Sequence, residues 1–167
     1  VPNKKLKNKI ESLRQYGWNK DRLVKVANGM NSRLDELQAV VLQIRLKDLK
    51  KDILNRRKIA KAYDINLSPY FERLTYPDYQ FCSFHLYVVK VKHRKKLMRF
   101  MQQNDIYLGI HYTPPNHSNG LLQKFSANLP ITDKISKEVV SLPIHPELHS
   151  SVQAKIIKIL NKFEDTL

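Results

Sequence analysis

Six histidines and one cysteine are the side chains here best suited to bind a metal, move a proton or attack a carbonyl, and their spacing decides which roles are open. His145 and His149 stand four residues apart in HPELH, the separation that puts two ligands on one face of a helix. Pro146 follows the first, and no glutamate stands in the order a zinc protease helix requires, so the pair does not read as metal ligands. His111 and Tyr112 end a predicted strand just before Pro114-Pro115. Polar side chains at such a place either line a cleft or simply cap the strand, and pattern alone leaves both open. His85, inside SFHLYVV, reads as a core or edge histidine. Cys82 has no partner for an intrachain disulfide and no helix start or basic cluster beside it, so it reads as a small buried thiol rather than a nucleophile.

No Ser-His-Asp or Cys-His order, carboxylate pair or nucleophile elbow stands out. Gly29-Met30-Asn31 is too short to be a phosphate loop in its own right. It does present backbone and side-chain donors ahead of a helix N-terminus, where the helix dipole favours an anion. The residues alone thus give an anion-friendly loop and nothing that performs a reaction unaided.

The elements that must hold these residues follow from periodicity. Ser32 is a candidate N-cap with Asp35 three residues on, and Leu34, Leu37, Val41, Ile44, Leu49 and Ile53 recur at helical spacing. This predicts a helix from Ser32 through Arg57 and Ile59 to about Tyr63, long enough to cross between two bodies. Before it lies a short apolar-periodic piece around Ile10 and Leu13, then Tyr16-Gly17-Trp18 and a polar stretch. After Ser68-Pro69 the texture shortens, with a turn at Tyr76-Pro77-Asp78. Strands are predicted at Ser83 to Val91, Ile106 to Tyr112 and Val139 to Ile144. Helices are predicted at Arg94 to Asp105, with Leu97, Phe100 and Met101 inward, and at Ser150 to Phe163. The latter opens on a Ser150/Gln153 capping box, with Val152, Ile156, Ile159, Leu160 and Phe163 inward. The whole is a small α/β domain behind a long helix, with no internal repeat or low-complexity segment.

Composition bounds the rest. The 167 residues suffice for one full-sized domain or a smaller one with an appended piece, and 42% hydrophobic content is that of a globular chain. No run reaches the roughly 18 apolar residues of a membrane span, and the start VPNKKLKNKIESLRQYG lacks a secretory signal, which points to the cytoplasm. Thirty Lys and Arg against 15 Asp and Glu leave a formal charge of +15. The cations are scattered as KKLKNK, KDLKKD, NRRK and KHRKK, and without a zinc-finger or single-strand-binding motif they read as solvated helix faces, not as a nucleic-acid surface.

Six segments in order, LRQYG (13–17), GMNSRLDELQAVVLQIRLKDL (29–49), NRRKIAKAY (55–63), FHLYVV (84–89), DIYLGIHYTPPNH (105–117) and VVSLPIHPEL (139–148), together resemble the C-terminal part of the DegT/DnrJ/EryC1/StrS sugar aminotransferases. The resemblance implies a fold type I pyridoxal-phosphate enzyme of α/β class that passes an amino group, usually from glutamate, to a nucleotide-linked keto sugar. It implies residues 1–31 as the end of a large domain with an interface loop, 32–64 as a long linking helix and 65–167 as the small C-terminal α/β domain. It implies Asn31 as a donor reaching across a homodimer interface to the cofactor phosphate of the other subunit, with Arg33 ordering the loop or meeting that phosphate. His85, His111 and Tyr112 match positions that face the sugar-nucleotide cleft. The family's Schiff-base lysine, ring-stacking aromatic and pyridine-nitrogen aspartate lie upstream of the LRQYG-like segment, so none is expected in this chain. Lys4, Lys5 and Lys7 lack the surroundings of that lysine. Tyr16, where many members have histidine, and Asn116-His117-Ser118 after the proline pair depart from the pattern. The expectation is therefore the binding half of such an enzyme, inactive alone, from a truncated gene product or an excised piece. A dehydratase of the same family, with histidine replacing the lysine, and a non-catalytic binding or dimerisation module are the alternatives.

Overall fold

The helix predicted from Ser32 runs instead from Glu36 to Asn66, as α2. In this computed structural model, which describes residues 3–76, 78–120, 122 and 127–166, Ser32 is not the cap. Its backbone N–H bonds the Arg14 carbonyl at 3.0 Å, and Asn31 pairs with Gln15 in an antiparallel bridge. Residues 31 and 32 are thus committed to extended pairing, and the first helical bond of α2 is Ala39 N–H to the Asp35 carbonyl, 2.9 Å. At its far end the helix runs a turn or so past Tyr63, until Pro69 in the following turn rules out further helical bonding.

The chain divides into two units, Val1–Asp48 and Leu49–Leu167, with α2 passing through both. In the first, α1 (Lys4–Leu13) is capped by Asn3, whose side chain accepts from Leu6 N–H. The chain then doubles back. Gln15 pairs with Asn31 and Trp18 with Val24, and Met30 exchanges bonds with Leu13 (2.8 Å) and Tyr16 (3.1 Å). Gly17, at φ +77°, lies directly against Val26 and Gly29: a Cβ on Gly17 would stand 1.9 Å from the Val26 carbonyl oxygen, and one on Gly29 would stand 2.0 Å from Gly17 N. Only residues without a side chain permit this backbone contact.

The second unit holds the core. A three-stranded antiparallel sheet, ordered β1-β2-β3, consists of β1 (Glu72–Arg73), β2 (Tyr87–Lys90) and β3 (Val139–Leu142), with Val89 opposite Val140 and Tyr87 opposite Leu142. Helices α3 (Arg94–Gln102), α4 (Pro130–Glu138) and α5 (Ser150–Glu164) accompany it. Tyr63, Phe71, Tyr87, Leu97, Met101, Leu160 and Phe163 pack together out of solvent, each burial stabilising the fold by about 1.5–3 kcal/mol. The predicted turn at Tyr76-Pro77-Asp78 includes Pro77, which lies outside the described residues. Among the described residues no helix is long and apolar enough to cross a membrane.

Several predicted elements are altered by tertiary contacts. The strand expected from Ser83 starts only at Tyr87, because the carbonyls of Gln80, Cys82, Phe84 and His85 bond to arginine side chains of α2 and not to a neighbouring strand. The strand expected over Ile106 to Tyr112 reduces to one bridge at Gly109, which exchanges both backbone bonds with Ser141; Pro114 and Pro115 beyond it have no N–H to continue a ladder. The box expected at Ser150/Gln153 does not form. His149 is the N-cap of α5, while Gln153 is buried and donates to the Ile59 carbonyl at 2.7 Å, leaving Val152 exposed. Helix α4 was not expected, although Pro130 at its start, Asp133 in the first turn and Lys137 in the last are the signals that mark one.

Candidate functional site

Asn31 and Arg33 come together in the first unit. Arg33 Nε donates to Asn31 Oδ1 at 2.9 Å, with both side chains exposed. The bond occupies the amide oxygen of Asn31 and leaves its NH2 group as a donor. Arg33 keeps its two terminal nitrogens as donors. The backbone beneath Asn31 is held by the Gln15 bridge and the Gly17-Gly29 contact. A firm loop carrying a neutral donor and a forked cation fits a phosphate dianion.

His111 and Tyr112 come together in the second unit, their rings meeting edge to face with centroids 5.2 Å apart. His111 Nδ1 lies 2.9 Å from Ser141 Oγ, and the ring rests on Gly109, where a Cβ would stand 2.7 Å from its Cε1. Tyr112 projects into solvent. His111 is therefore not a strand cap: its Nδ1 faces inward to β3 and its Nε2 lies at the other end of the ring. His85 is neither a core nor an edge-strand residue. It sits exposed in the loop before β2, just after Phe84 at φ +47°.

Sequence reasoning missed the residue that fixes that loop. Arg56 of α2 donates through one terminal nitrogen to the carbonyls of Phe84 (3.3 Å), His85 (3.3 Å) and Ile144 (3.0 Å), joining the His85 loop to the SLPIHP turn. Arg57 bonds the Cys82 carbonyl at 2.9 Å and that of Gln80; Cys82 is half-buried. The double arginine of NRRK, read as a solvated face, was the available signal. Ser141 was also missed, although it is the one polar residue of a strand otherwise made of Val and Leu.

Beneath this layer Asp64 accepts from the hydroxyls of both Tyr79 and Tyr87, and Tyr63 donates to the Pro143 carbonyl at 2.8 Å. Burial holds the Tyr63 phenol protonated well above the usual range. For Tyr79 and Tyr87 burial acts first, and the bond to the Asp64 carboxylate raises them further.

The remaining four histidines contact side chains of the fold, His93 through the Tyr70 hydroxyl 3.0 Å from its Nδ1. His149 Nδ1 caps α5 near Ser151, His145 lies 3.5 Å from Glu147, and His117 Nε2 lies 2.9 Å from Asp133 of α4. Among the described residues no group of three His, Cys, Asp or Glu is placed to hold a metal. Lys4, Lys5 and Lys7 are exposed on α1, Lys7 within 3.7 Å of Glu11.

A long helix leading into a small antiparallel sheet flanked by helices is the C-terminal architecture of fold type I pyridoxal-phosphate transferases. Two solved structures share it. A DegT DnrJ EryC1 StrS aminotransferase from Brucella abortus matches with a TM-score of 0.84 and 27% identity, over 98% of this chain and 44% of the other. DesV of S. venezuelae, solved in complex with a ketimine intermediate, matches with 0.84 and 27%, over 100% and 46%. In sequence, residues 1–161 match the DegT/DnrJ/EryC1/StrS aminotransferase family, and the chain belongs to it. The dTDP-3-amino-3,6-dideoxy-alpha-D-galactopyranose transaminase of Aneurinibacillus thermoaerophilus is 34% identical over 160 residues, 95% of this chain and 44% of the relative. The chain thus spans a little under half the length of the relatives it matches.

Proposed function

We propose that the chain is the C-terminal, substrate-facing part of a pyridoxal-phosphate aminotransferase that acts on a nucleotide-linked keto sugar, with glutamate as amino donor. The observation that carries this reading is the alignment of 95% of the chain on 44% of a dTDP-sugar transaminase, and the geometry of the two clusters supports it. When bound, pyridoxal phosphate supplies the electron sink that lets an amino group pass between donor and sugar.

The residues of this chain bind and orient. Asn31 donates its amide N–H to the cofactor phosphate, and the Arg33 bond to Oδ1 leaves the NH2 group for that role. A neutral donor there adds a hydrogen bond without altering the charge balance around the dianion. Arg33 adds a cation that the phosphate attracts. His111, His85 and Tyr112 meet the nucleotide-linked sugar: the imidazoles supply donors for its oxygens, and the exposed Tyr112 ring offers an apolar face with a hydroxyl at its tip. The enzyme works as a cytoplasmic homodimer in which the Asn31 loop serves the cofactor of the partner subunit. The covalent attachment and the proton transfers at the reacting carbon fall to residues outside this chain.

Borohydride reduction of the native gene product, followed by intact-mass measurement, tests the reading. A pyridoxyl adduct is expected, together with glutamate-dependent amination of a nucleotide-linked keto sugar. Asn31→Ala should weaken pyridoxal-phosphate binding about 3- to 10-fold, the worth of one hydrogen bond. A gene product that takes up no pyridoxyl group would overturn the reading.

A further inference from the structure

Ser141 spends its whole hydrogen-bonding capacity in one place. It is 5% exposed, in the middle of β3. Its backbone N–H bonds the Gly109 carbonyl at 2.8 Å, and its carbonyl accepts from Gly109 N–H at 3.1 Å. Only the hydroxyl remains, and among the described residues its partner is His111 Nδ1, 2.9 Å away. A buried hydroxyl proton left without an acceptor is costly, and the acceptor within reach is the lone pair of Nδ1. The hydroxyl therefore donates, Nδ1 stays unprotonated in the neutral ring, and the proton sits on Nε2.

The other contacts prevent the ring from escaping this arrangement. Gly109 lies so close under it that a methyl group there would meet Cε1 at 2.7 Å and Nδ1 at 3.3 Å, and Tyr112 presents an edge-to-face contact at 5.2 Å. The same strand bridge, Gly109 with Ser141, thus sets the floor under the ring and the group that orients it. A side chain at position 109 would push the His111 ring away from this place, and a short hydroxyl at 141 reaches its Nδ1.

We propose that Ser141 is a positioning residue that holds His111 as an Nε2–H donor aimed at an oxygen of the nucleotide-linked sugar. This rests on the reading of His111 given above. A ring flipped by 180° would present carbon where a donor is needed, and the other tautomer would present a lone pair that a keto or diphosphate oxygen, having no proton to donate, repels. Locking the ring before the ligand arrives removes an ordering cost from binding.

The test uses the native gene product, with dTDP-glucose and UDP-N-acetylglucosamine as calorimetric probes, and the variants Ser141→Ala, His111→Ala and their double. Ser141→Ala should weaken binding of the better probe about 3- to 10-fold. His111→Ala should weaken it at least as much, and the double variant should equal His111→Ala alone. An unchanged affinity in Ser141→Ala beside a weakened His111→Ala would overturn the proposal. So would a Ser141 effect that persists without His111, since Ser141 would then act through the fold. Unchanged binding in His111→Ala would instead overturn the reading of His111 as a sugar-nucleotide contact. Ring-nitrogen NMR of the unsubstituted protein, with histidine labelled and His111 assigned by substitution, needs no destabilised variant. It should show Nδ1 unprotonated and Nε2 protonated in the neutral ring, and a proton on Nδ1 would overturn the proposal on its own.

Discussion

Replacing Arg56 by methionine keeps the apolar stem of the side chain and deletes the group that ties α2 to two loops. Its three carbonyl partners are Ile144 at 3.0 Å and Phe84 and His85 at 3.3 Å each. The first has ordinary geometry, while the other two are longer than the usual range and share one nitrogen, so they count for less. Crediting the Ile144 bond with about 1.5 kcal/mol and each long bond with about 0.5 kcal/mol gives a loss of about 2.5 kcal/mol. Removing one cation from a chain of net charge +15 relieves a little self-repulsion and trims this slightly. In urea the midpoint should fall by about 1 M at unchanged slope, and Tm should fall by about 5–10 °C. Arg56→Lys keeps the charge but not the fork, and one ammonium reaching one carbonyl should recover less than half of the loss. A loss under about 0.5 kcal/mol would mean that water satisfies these carbonyls equally well, and would refute the argument that Arg56 pins the His85 loop.

Alkaline pH should destabilise the second unit. Tyr63, Tyr79 and Tyr87 titrate above the ordinary phenol value of 10.0 in the folded chain, so their stabilisation is complete below about pH 10 and declines as pH rises further. Urea midpoints from about pH 8 to 11 should fall steeply at the upper end, less so in Tyr87→Phe; a flat profile would count against the buried phenols. Gly29→Ala would put a Cβ 2.0 Å from Gly17 N and should cost at least about 2 kcal/mol, displacing Asn31 and weakening pyridoxal-phosphate binding in titration. The 167-residue chain prepared alone should self-associate, because Leu37 (83% exposed), Val41 (58%) and Ile44 (56%) lie bare on α2. Sedimentation should show association growing with salt, which screens the net positive charge, and diminished in Leu37→Ser/Val41→Ser; a monomer at all salt concentrations would contradict this.

Local chemistry made much of this protein legible. Apolar residues at helical spacing from Leu37 to Ile53, in a run without Gly or Pro as far as Tyr63, specified a long helix because helical period and propensity act locally. The β-branched and aromatic residues around YVVK and VVSL specified strands, because such side chains suit extended backbone. Leu97, Met101, Ile156, Leu160 and Phe163 turned inward as spaced. The family pattern marked Asn31 and His111 because those motifs are continuous in sequence.

Tertiary structure decided what depends on partners distant in the chain. The start of α2 moved from Ser32 to Glu36 because Arg14 and Gln15 claim residues 31 and 32. Gln153 left its predicted capping role for the Ile59 carbonyl, 94 residues away in sequence. Arg56, indistinguishable from a surface arginine in NRRK, became a clamp because its three acceptors lie 28, 29 and 88 residues further on. The orientation of His111 required Ser141, 30 residues downstream. Period and turn chemistry act over a few residues and can be read from the chain. A hydrogen bond between distant segments forms only after packing brings donor and acceptor within 3 Å, and no local pattern encodes which pair that is.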